Sequence, residues 1–579
     1  MAPQTREMIV LTLFGALAGF SFYATTEWLE GIQGTGRLAL GAMIFSICFF
    51  GGSLAMNGPV SFIRTLKPAA VFGVATTALI LLASLRFQTA GGFIQTGHPF
   101  ALLFAVFLIT IPFLIALMIT TASPRNYSDL FDAAWGTVTR VLVSGLFTGL
   151  FWLLLLLSNQ LLKLVGITLI KELIALDAVP FILSGAIFGL AIVVAHELSD
   201  MISPQMILRL LRLLMPMITV VVAIFVVALP FRGLSNLFGS LSAGSVMMGM
   251  GLVATGLVSA AIDRNSEHGV QRLWMKGFVQ VLACLIPILG GLAIAAVWIR
   301  VQDYGWTPDR LAAGTIAIIL FAYGLVYAAA VLRRGDWGNR LRQSNILMAI
   351  GVLSILALWL TPLLNPQAIS ARSQMARLED GEALKKLPIY EMTHKWGNAG
   401  RAQIANLKSQ LETTNDSTGL DWLASAKTAK SRYQLEYQAK LFNSPERKLA
   451  LDKAIIVHPK SSVLPSELFT GKNYATQQVF NTCLGTGEPP VKDCVLISVP
   501  KGSQNEAHFV LFTNLNSQNQ DIRVFTKSNF ESVSHNAKYV RLSDSAKRDL
   551  INGIYSIAPP QWSSVTLDGA TVYPAPWDH

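Results

Sequence analysis

The sequence predicts an all-α polytopic membrane bundle of about eleven transmembrane helices, followed by a soluble α+β C-terminal domain. Three observations predict it. Apolar residues make up 52% of the 579-residue chain and charged residues only 14%, where a soluble globular protein carries about 25% charged residues. Eleven apolar runs reach the roughly 18 residues that a helix needs to cross the hydrocarbon of a bilayer. Charge density then changes along the chain: residues 1–365 hold 21 Lys+Arg and 14 Asp+Glu, whereas the shorter stretch 366–579 holds 24 and 20. The composition excludes a disordered chain, a collagen and a coiled coil, which need high charge, a Gly period or sustained heptads.

The spans follow in order at roughly 8–24, 38–56, 68–85, 99–121, 139–158, 179–196, 213–230, 244–262, 277–299, 310–331 and 345–363. The first is expected to be a permanent helix rather than a cleaved signal. Only Arg6 beside Glu7 precedes it, and no small-x-small cleavage site is followed by a soluble start. Between the fifth and sixth runs, Lys163, Lys171, Glu172 and Asp177 interrupt the leucines and isoleucines, which predicts a helix lying in the interface over 159–178. Pro362 and Pro366 close the last run. The domain plan is a bundle over 1–365, a helical segment over 366–450 and a small α+β domain over 451–579.

Eleven spans put the two termini on opposite sides, and Lys and Arg are retained on the cytoplasmic side of short loops. The N-terminal flank and the even-numbered loops hold 14 of these cations, against 7 in the odd-numbered loops. The N-terminus is therefore expected inside and the C-terminal domain outside. Much of the net charge of +11 is then a topology signal rather than a nucleic-acid surface. Cysteine placement points the same way. Cys483 and Cys494 bracket Leu484-Gly485-Thr486-Gly487-Glu488-Pro489-Pro490, which reads as a disulfide-closed turn in an oxidising compartment. Cys48 and Cys284 lie within apolar runs, where a thiol behaves as a small hydrophobe.

Ionisable side chains are nearly absent from the span centres, which argues against an ion-coupled carrier. Arg140, His196, Glu197, Arg209 and Arg212 are placed at or near span ends, where long side chains reach the interface. Gln280 is among the few strongly polar residues inside a run. Gly15 and Gly19, like Gly249 and Gly251 near Gly256, offer close helix contacts, and Pro112 and Pro287 are candidate kinks. His196-Glu197-Leu198-Ser199-Asp200 nearly spells a two-histidine zinc helix, but position 200 is Asp and no third ligand is near. It reads as a charged cap on span six. No metal and no other cofactor is expected.

The stretch Arg300 to Arg310 is the densest in local signals. Tyr304 and Trp306 suit the membrane interface. Thr307 suits a helix N-cap, Pro308 the first helical position, and Asp309 the positive end of the helix. Tyr304-Gly305-Trp306-Thr307-Pro308-Asp309-Arg310 also resembles the YG-(W/L)-T-x-x-R signature of a widespread bacterial polytopic membrane family catalogued as a domain of unknown function. Asn365-Pro366, Ser370-Ala371-Arg372-Ser373-Gln374 and Arg377-Leu378 are similar to the family's post-membrane segment, and Gly397-Asn398-Ala399-Gly400-Arg401 to its short helical G-x-x-G element. The resemblance implies an integral inner-membrane protein with a periplasmic tail, and brings no reaction, substrate or catalytic residue.

Outside the bundle, Ile404, Leu407 and Leu411 keep helical spacing, and Leu420, Leu423, Tyr433, Leu435 and Leu441 predict a second helix. Strands are predicted over 454–457, 494–499, 508–512 and 522–525, with Pro500-Lys501-Gly502-Ser503 in a hairpin loop and a helix over 544–554. No nucleophile elbow, phosphate loop or metal spacing is present, and His394, His458, His508 and His535 are scattered. The expected function is non-enzymatic: an envelope protein whose bundle sits in the lipid bilayer and whose periplasmic domain senses or binds an envelope partner. The alternative is a transporter or lipid-handling protein without ion-coupling carboxylates.

Overall fold

The computed structural model describes residues 3–31, 36–119, 126–197, 204–232, 243–333 and 335–433, and beyond them 435, 451, 454–459, 483, 494–499, 508–513, 515, 520–526, 538–540, 542–556, 565–567 and 570–572. The long helices are α1 (Pro3–Gly31), α2 (Arg37–Met56), α3 (Phe62–Ser84), α5 (His98–Met118), α6 (Tyr127–Leu164), α8 (Ala178–Glu197), α9 (Pro204–Arg232), α10 (Ala243–Ile262), α11 (Leu273–Tyr304), α12 (Pro308–Leu332) and α13 (Trp337–Leu360). All eleven are long and apolar enough to cross a membrane. Short helices α4 (Ala90–Ile94) and α7 (Leu169–Ile174) lie between them. The chain divides into two compact units, Met1–Lys427 and Thr428–His579.

Within the first unit, two apolar clusters organise the helices. One gathers α2, α3 and α5 around Ile44, Cys48, Ile80 and Ile111. The other gathers α9 to α13 around Met215, Val258, Ile286, Leu320 and Tyr327. Helix α1 lies along α8 at backbone contact: a methyl group on Gly15 would overlap the Gly185 carbonyl, and one on Gly189 would overlap the Leu11 carbonyl. Small residues permit that approach, and in lipid the gain is dispersion rather than hydrophobic burial.

Span five differs from its sequence reading. The helix begins at Tyr127, not near 139, because Asn126 caps it by accepting from the Ser128 amide and Asp129 meets the positive helix end. A hydropathy ruler passes over such a polar first turn. Arg140 consequently lies well inside the helix and is buried, donating to the Ala55 carbonyl at 3.3 Å and to Thr137 at 3.2 Å. The segment 159–178 also divides. Its first turns continue α6 to Leu164, Gly166 turns the chain with φ +79°, and α7 follows with no buried residue.

Hydrogen bonds between the loops respect the alternation that eleven crossings demand. We call the end where α1 begins the near end. There Arg140 meets Ala55, Arg212 meets Ala260, Arg264 meets Asp132 and Arg342 meets Ile262. At the far end Arg37 meets Phe87, Arg86 meets Trp359, and His98 meets Asp309. After α13 the chain stays at the far end as α14 (Pro366–Glu379), α15 (Ile389–His394), α16 (Gly397–Thr413) and α17 (Ser417–Thr428).

The second unit holds a sheet of order β1-β2-β3-β4-β5: β1 (Ile455–His458), β2 (Cys494–Val499), β3 (His508–Thr513), β4 (Gln520–Thr526) and β5 (Lys538–Val540). Only the β1–β2 pairing is parallel. Strand β2 is buried on both faces, Cys494 and Leu496 toward one cluster and Val495 and Ile497 toward another that includes Leu550 of α18 (Asp544–Asn552). That double burial explains its unbroken apolar run. A hairpin of β6 (Val565–Leu567) and β7 (Ala570–Val572) stands apart as its own sheet. Cys483 and Cys494 are joined by a disulfide in the sheet core. The loop 484–490, the segment 500–503, Leu441 and His535 lie outside the described residues.

Candidate functional site

A cavity of about 280 Å³ opens between α5, α6, α10, α12 and α13. Most of its wall is apolar, with Pro112 and Phe113 from α5, Phe131 and Trp135 from α6, and Ala349 from α13. Its polar lining is concentrated on Tyr127, Ser259, Tyr323 and Asn345, from four different helices. The Asn345 amide organises this group. Its nitrogen donates to the Tyr127 hydroxyl at 3.1 Å and to the Ser259 hydroxyl at 3.3 Å. Its oxygen accepts from the Tyr327 hydroxyl. Ser259 and Tyr327 are 3.1 Å apart, and since the Tyr327 hydrogen goes to Asn345, Ser259 is the donor between them. Both amide hydrogens and both inner hydroxyl hydrogens are thereby used. The Tyr127 hydroxyl only accepts within the ring, so its own hydrogen is left over in a mostly apolar chamber, where the Tyr323 hydroxyl also stands outside the ring.

A lattice of ionic and backbone bonds holds the near-end side of this ring. Arg212 forms an ion pair with the buried Asp263 and donates to the carbonyls of Ala260 and His268, each at 3.0 Å. Arg342 donates to the Ile262 carbonyl at 2.6 Å and to the Asp263 carbonyl at 3.2 Å. The two guanidinium groups thus satisfy carbonyls at the C-terminus of α10, where the helix dipole favours cations. Arg264 reaches Asp132 at 3.2 Å and His268 at 2.8 Å, tying the α10–α11 turn to α6.

The signature residues form a different object at the far end. Tyr304 ends α11, and Gly305 turns the chain with φ +70°. A Cβ there would lie 2.6 Å from Gln374 Nε2, so both conformation and space require glycine. Thr307 caps α12 by accepting from the Arg310 amide at 3.3 Å, and Pro308 takes the first helical position. The Trp306 amide donates to Ser373 at 3.2 Å. Asp309 stands 3.1 Å from His98 Nε2. The Arg310 side chain donates to the carbonyls of Tyr304 and Gly305 at 3.1 and 2.7 Å, its guanidinium 5.4 Å from the Tyr304 ring centre. Buried Gln374 of α14 donates to the carbonyls of Tyr304 and Trp306, both at 2.9 Å. Also at the far end, Arg86 holds the end of α13 with bonds to the carbonyls of Trp359, Thr361 and Leu364, and burial pulls its guanidinium down to about 10. Arg377 and Lys386 flank Glu382 at 2.9 Å each, the Lys386 bond being the main reason its carboxyl sits below the usual range.

Of the residues singled out in the sequence, Tyr304 to Arg310 come together as this α11–α12 joint and Cys483 meets Cys494, but neither group enters the cavity. His196 is exposed, Ser199 and Asp200 lie outside the described residues, and no metal-holding cluster occurs among the described residues. Of the cavity's wall the sequence singled out Pro112 and Gly256, as a kink and a packing glycine, but its polar residues went unnoticed, where Asn345 within an apolar run and Tyr323 and Tyr327 one helical turn apart were the available signals. The family model described as Domain of unknown function (DUF4153) matches residues 38–392, more than half of the chain. The chain belongs to that family. No match emerges among the curated proteins or the solved structures. The DUF4153 segment contains the whole cavity and the α11–α12 joint, and it ends within α15, before the second unit begins.

Proposed function

We propose that this DUF4153 protein is a non-enzymatic protein of the bacterial inner membrane, its near end cytoplasmic and its C-terminal unit periplasmic, whose bundle holds an amphipathic, lipid-class molecule. The observation that carries the reading is the cavity: apolar walls for a hydrocarbon segment, and the Tyr127 hydroxyl as donor to a ligand oxygen such as an ester carbonyl. The non-enzymatic part is supported by the use made of the one cation of the signature, since the Arg310 guanidinium is spent on the backbone carbonyls of Tyr304 and Gly305. Charge bias supports the orientation, with 14 cations at the near-end loops against 7 at the far end. An envelope partner is assigned to the second unit on the strength of its disulfide and its soluble charge density.

The test extracts the molecules retained by full-length protein purified in mild detergent and identifies them by mass spectrometry. A lipid-class species is expected with the wild type. It should fall severalfold in Ala349→Phe, which fills the cavity, and less in Tyr127→Phe, which removes only the donor. An unchanged complement of bound molecules in Ala349→Phe would overturn the reading.

A further inference from the structure

A second and larger recess lies on the other side of α5. It is a groove of about 770 Å³ between α3 and α5, and α5 is the partition: Pro112 and Phe113 face the cavity described above, while Thr110 and Leu114 face this groove. Its lining is apolar apart from Thr110 and two cations, Arg64 and Lys67, at one end. Those two are exposed and three residues apart in the first turns of α3, so they share one face. No carboxylate lines the groove, and among the described residues neither cation has an acidic partner.

The polarity runs along the helix axis. Arg64 and Lys67 stand at the near end, where α3 begins, and the walls run from them past Phe72 to Ala75. Eleven residues separate Arg64 from Ala75, about 16 Å of helix. Half of a bilayer's hydrocarbon is about 15 Å thick. A groove with paired cations at the interface and an apolar channel one leaflet deep has the dimensions and charge of one phospholipid. We propose that it binds a single anionic phospholipid of the near-end leaflet. Arg64 and Lys67 hold its headgroup phosphate, and one acyl chain lies along Phe72, Ala75 and Leu114. Positive charge in loops serves orientation, but orientation requires no groove beside it. The site does not depend on the occupant of the other cavity.

The test titrates full-length protein in detergent with phosphatidylglycerol or phosphatidylcholine of identical chains, counting bound lipid by native mass spectrometry. A third arm uses inorganic phosphate alone. Phosphatidylglycerol is expected to bind roughly tenfold to thirtyfold tighter, the contribution of two cations near an anionic headgroup. Arg64→Gln with Lys67→Gln should abolish that preference, and Ala75→Trp, which blocks the channel but keeps both cations, should weaken both lipids. All three positions are exposed, so melting in lipid-free detergent should match the wild type and certify the fold. Ala349→Phe should leave this binding untouched, which separates it from the other cavity. Equal binding of the two lipids, an unchanged preference in the double variant, or displacement of phosphatidylglycerol by millimolar phosphate overturns the proposal.

Discussion

Asn345 shows how much one amide does in a low-dielectric bundle. It bonds side chains from α6, α10 and α12, so its loss leaves three hydroxyls to find new partners. Asn345→Leu keeps the volume and removes every bond. The expected cost is about 1–3 kcal/mol, toward the lower figure where lipid-embedded hydroxyls re-pair, read as a lower melting midpoint in detergent. A midpoint equal to wild type would mean the ring holds nothing. Gly305 is the second decisive position. Gly305→Ala forces a side chain into a region of positive φ and extended ψ that is essentially glycine-only, at a cost of about 1–3 kcal/mol, and pushes on Gln374, so hydrogen exchange should rise in α14. Glu382 gives a pH signature. Its carboxyl is depressed in the fold by Lys386 and then Arg377, so its contribution is complete above the ordinary glutamate value of about 4.3 and is lost as pH falls through the lower folded value. Protection against exchange at residues 376–382, relative to the intrinsic rate at each pH, should fall below pH of about 4, and Glu382→Gln should remove that pH dependence of protection.

At the scale of elements, periodicity and hydropathy made all eleven long helices legible, and β2 and β3 fell within a residue of their reading, because one-dimensional apolar runs encode them. What was hidden depends on pairing in three dimensions. Gly15 and Gly19 were visible as small residues, but their partners on α8, Gly185 and Gly189 for Gly15 and the Phe181 carbonyl for Gly19, are revealed by no spacing within α1. The cavity was hidden for the same reason: Tyr127 and Asn345 are 218 positions apart in the chain. The α1–α8 contact makes a sharp prediction. Gly185→Ala sets a methyl group against the Gly15 carbonyl and should lower the melting midpoint and the yield of folded protein. Gly149→Ala, on α6 with no heavy atom within 4 Å, adds the same methyl group to open space and should change neither. Equal behaviour of the two variants would mean that the helices do not approach so closely.

For the whole molecule, orientation and alternation are separable questions. Alternation is supported by bonds that join even loops to even loops and odd to odd, for which Arg264 with Asp132 and His98 with Asp309 serve as markers of the two ends. Orientation rests on the cation bias and on the Cys483–Cys494 disulfide, and the near end draws part of that bias from Arg64 and Lys67, which the groove also uses. The distribution of charge therefore carries two kinds of information at once, and labelling can tell them apart. In a background where Cys48 and Cys284 are replaced, Ser266→Cys in the α10–α11 turn and Glu379→Cys at the end of α14 are both exposed. A membrane-impermeant thiol reagent added to spheroplasts should label Glu379→Cys immediately and Ser266→Cys only after the membrane is opened. The reverse pattern would invert the orientation while preserving eleven crossings, and labelling of both from one side would break the alternation itself. Repeating the experiment with Arg64→Gln and Lys67→Gln decides what those cations do. Unchanged labelling, expected because 12 near-end cations still outnumber the 7 at the far end, frees them of a topological role, whereas mixed labelling makes them the determinant of topology.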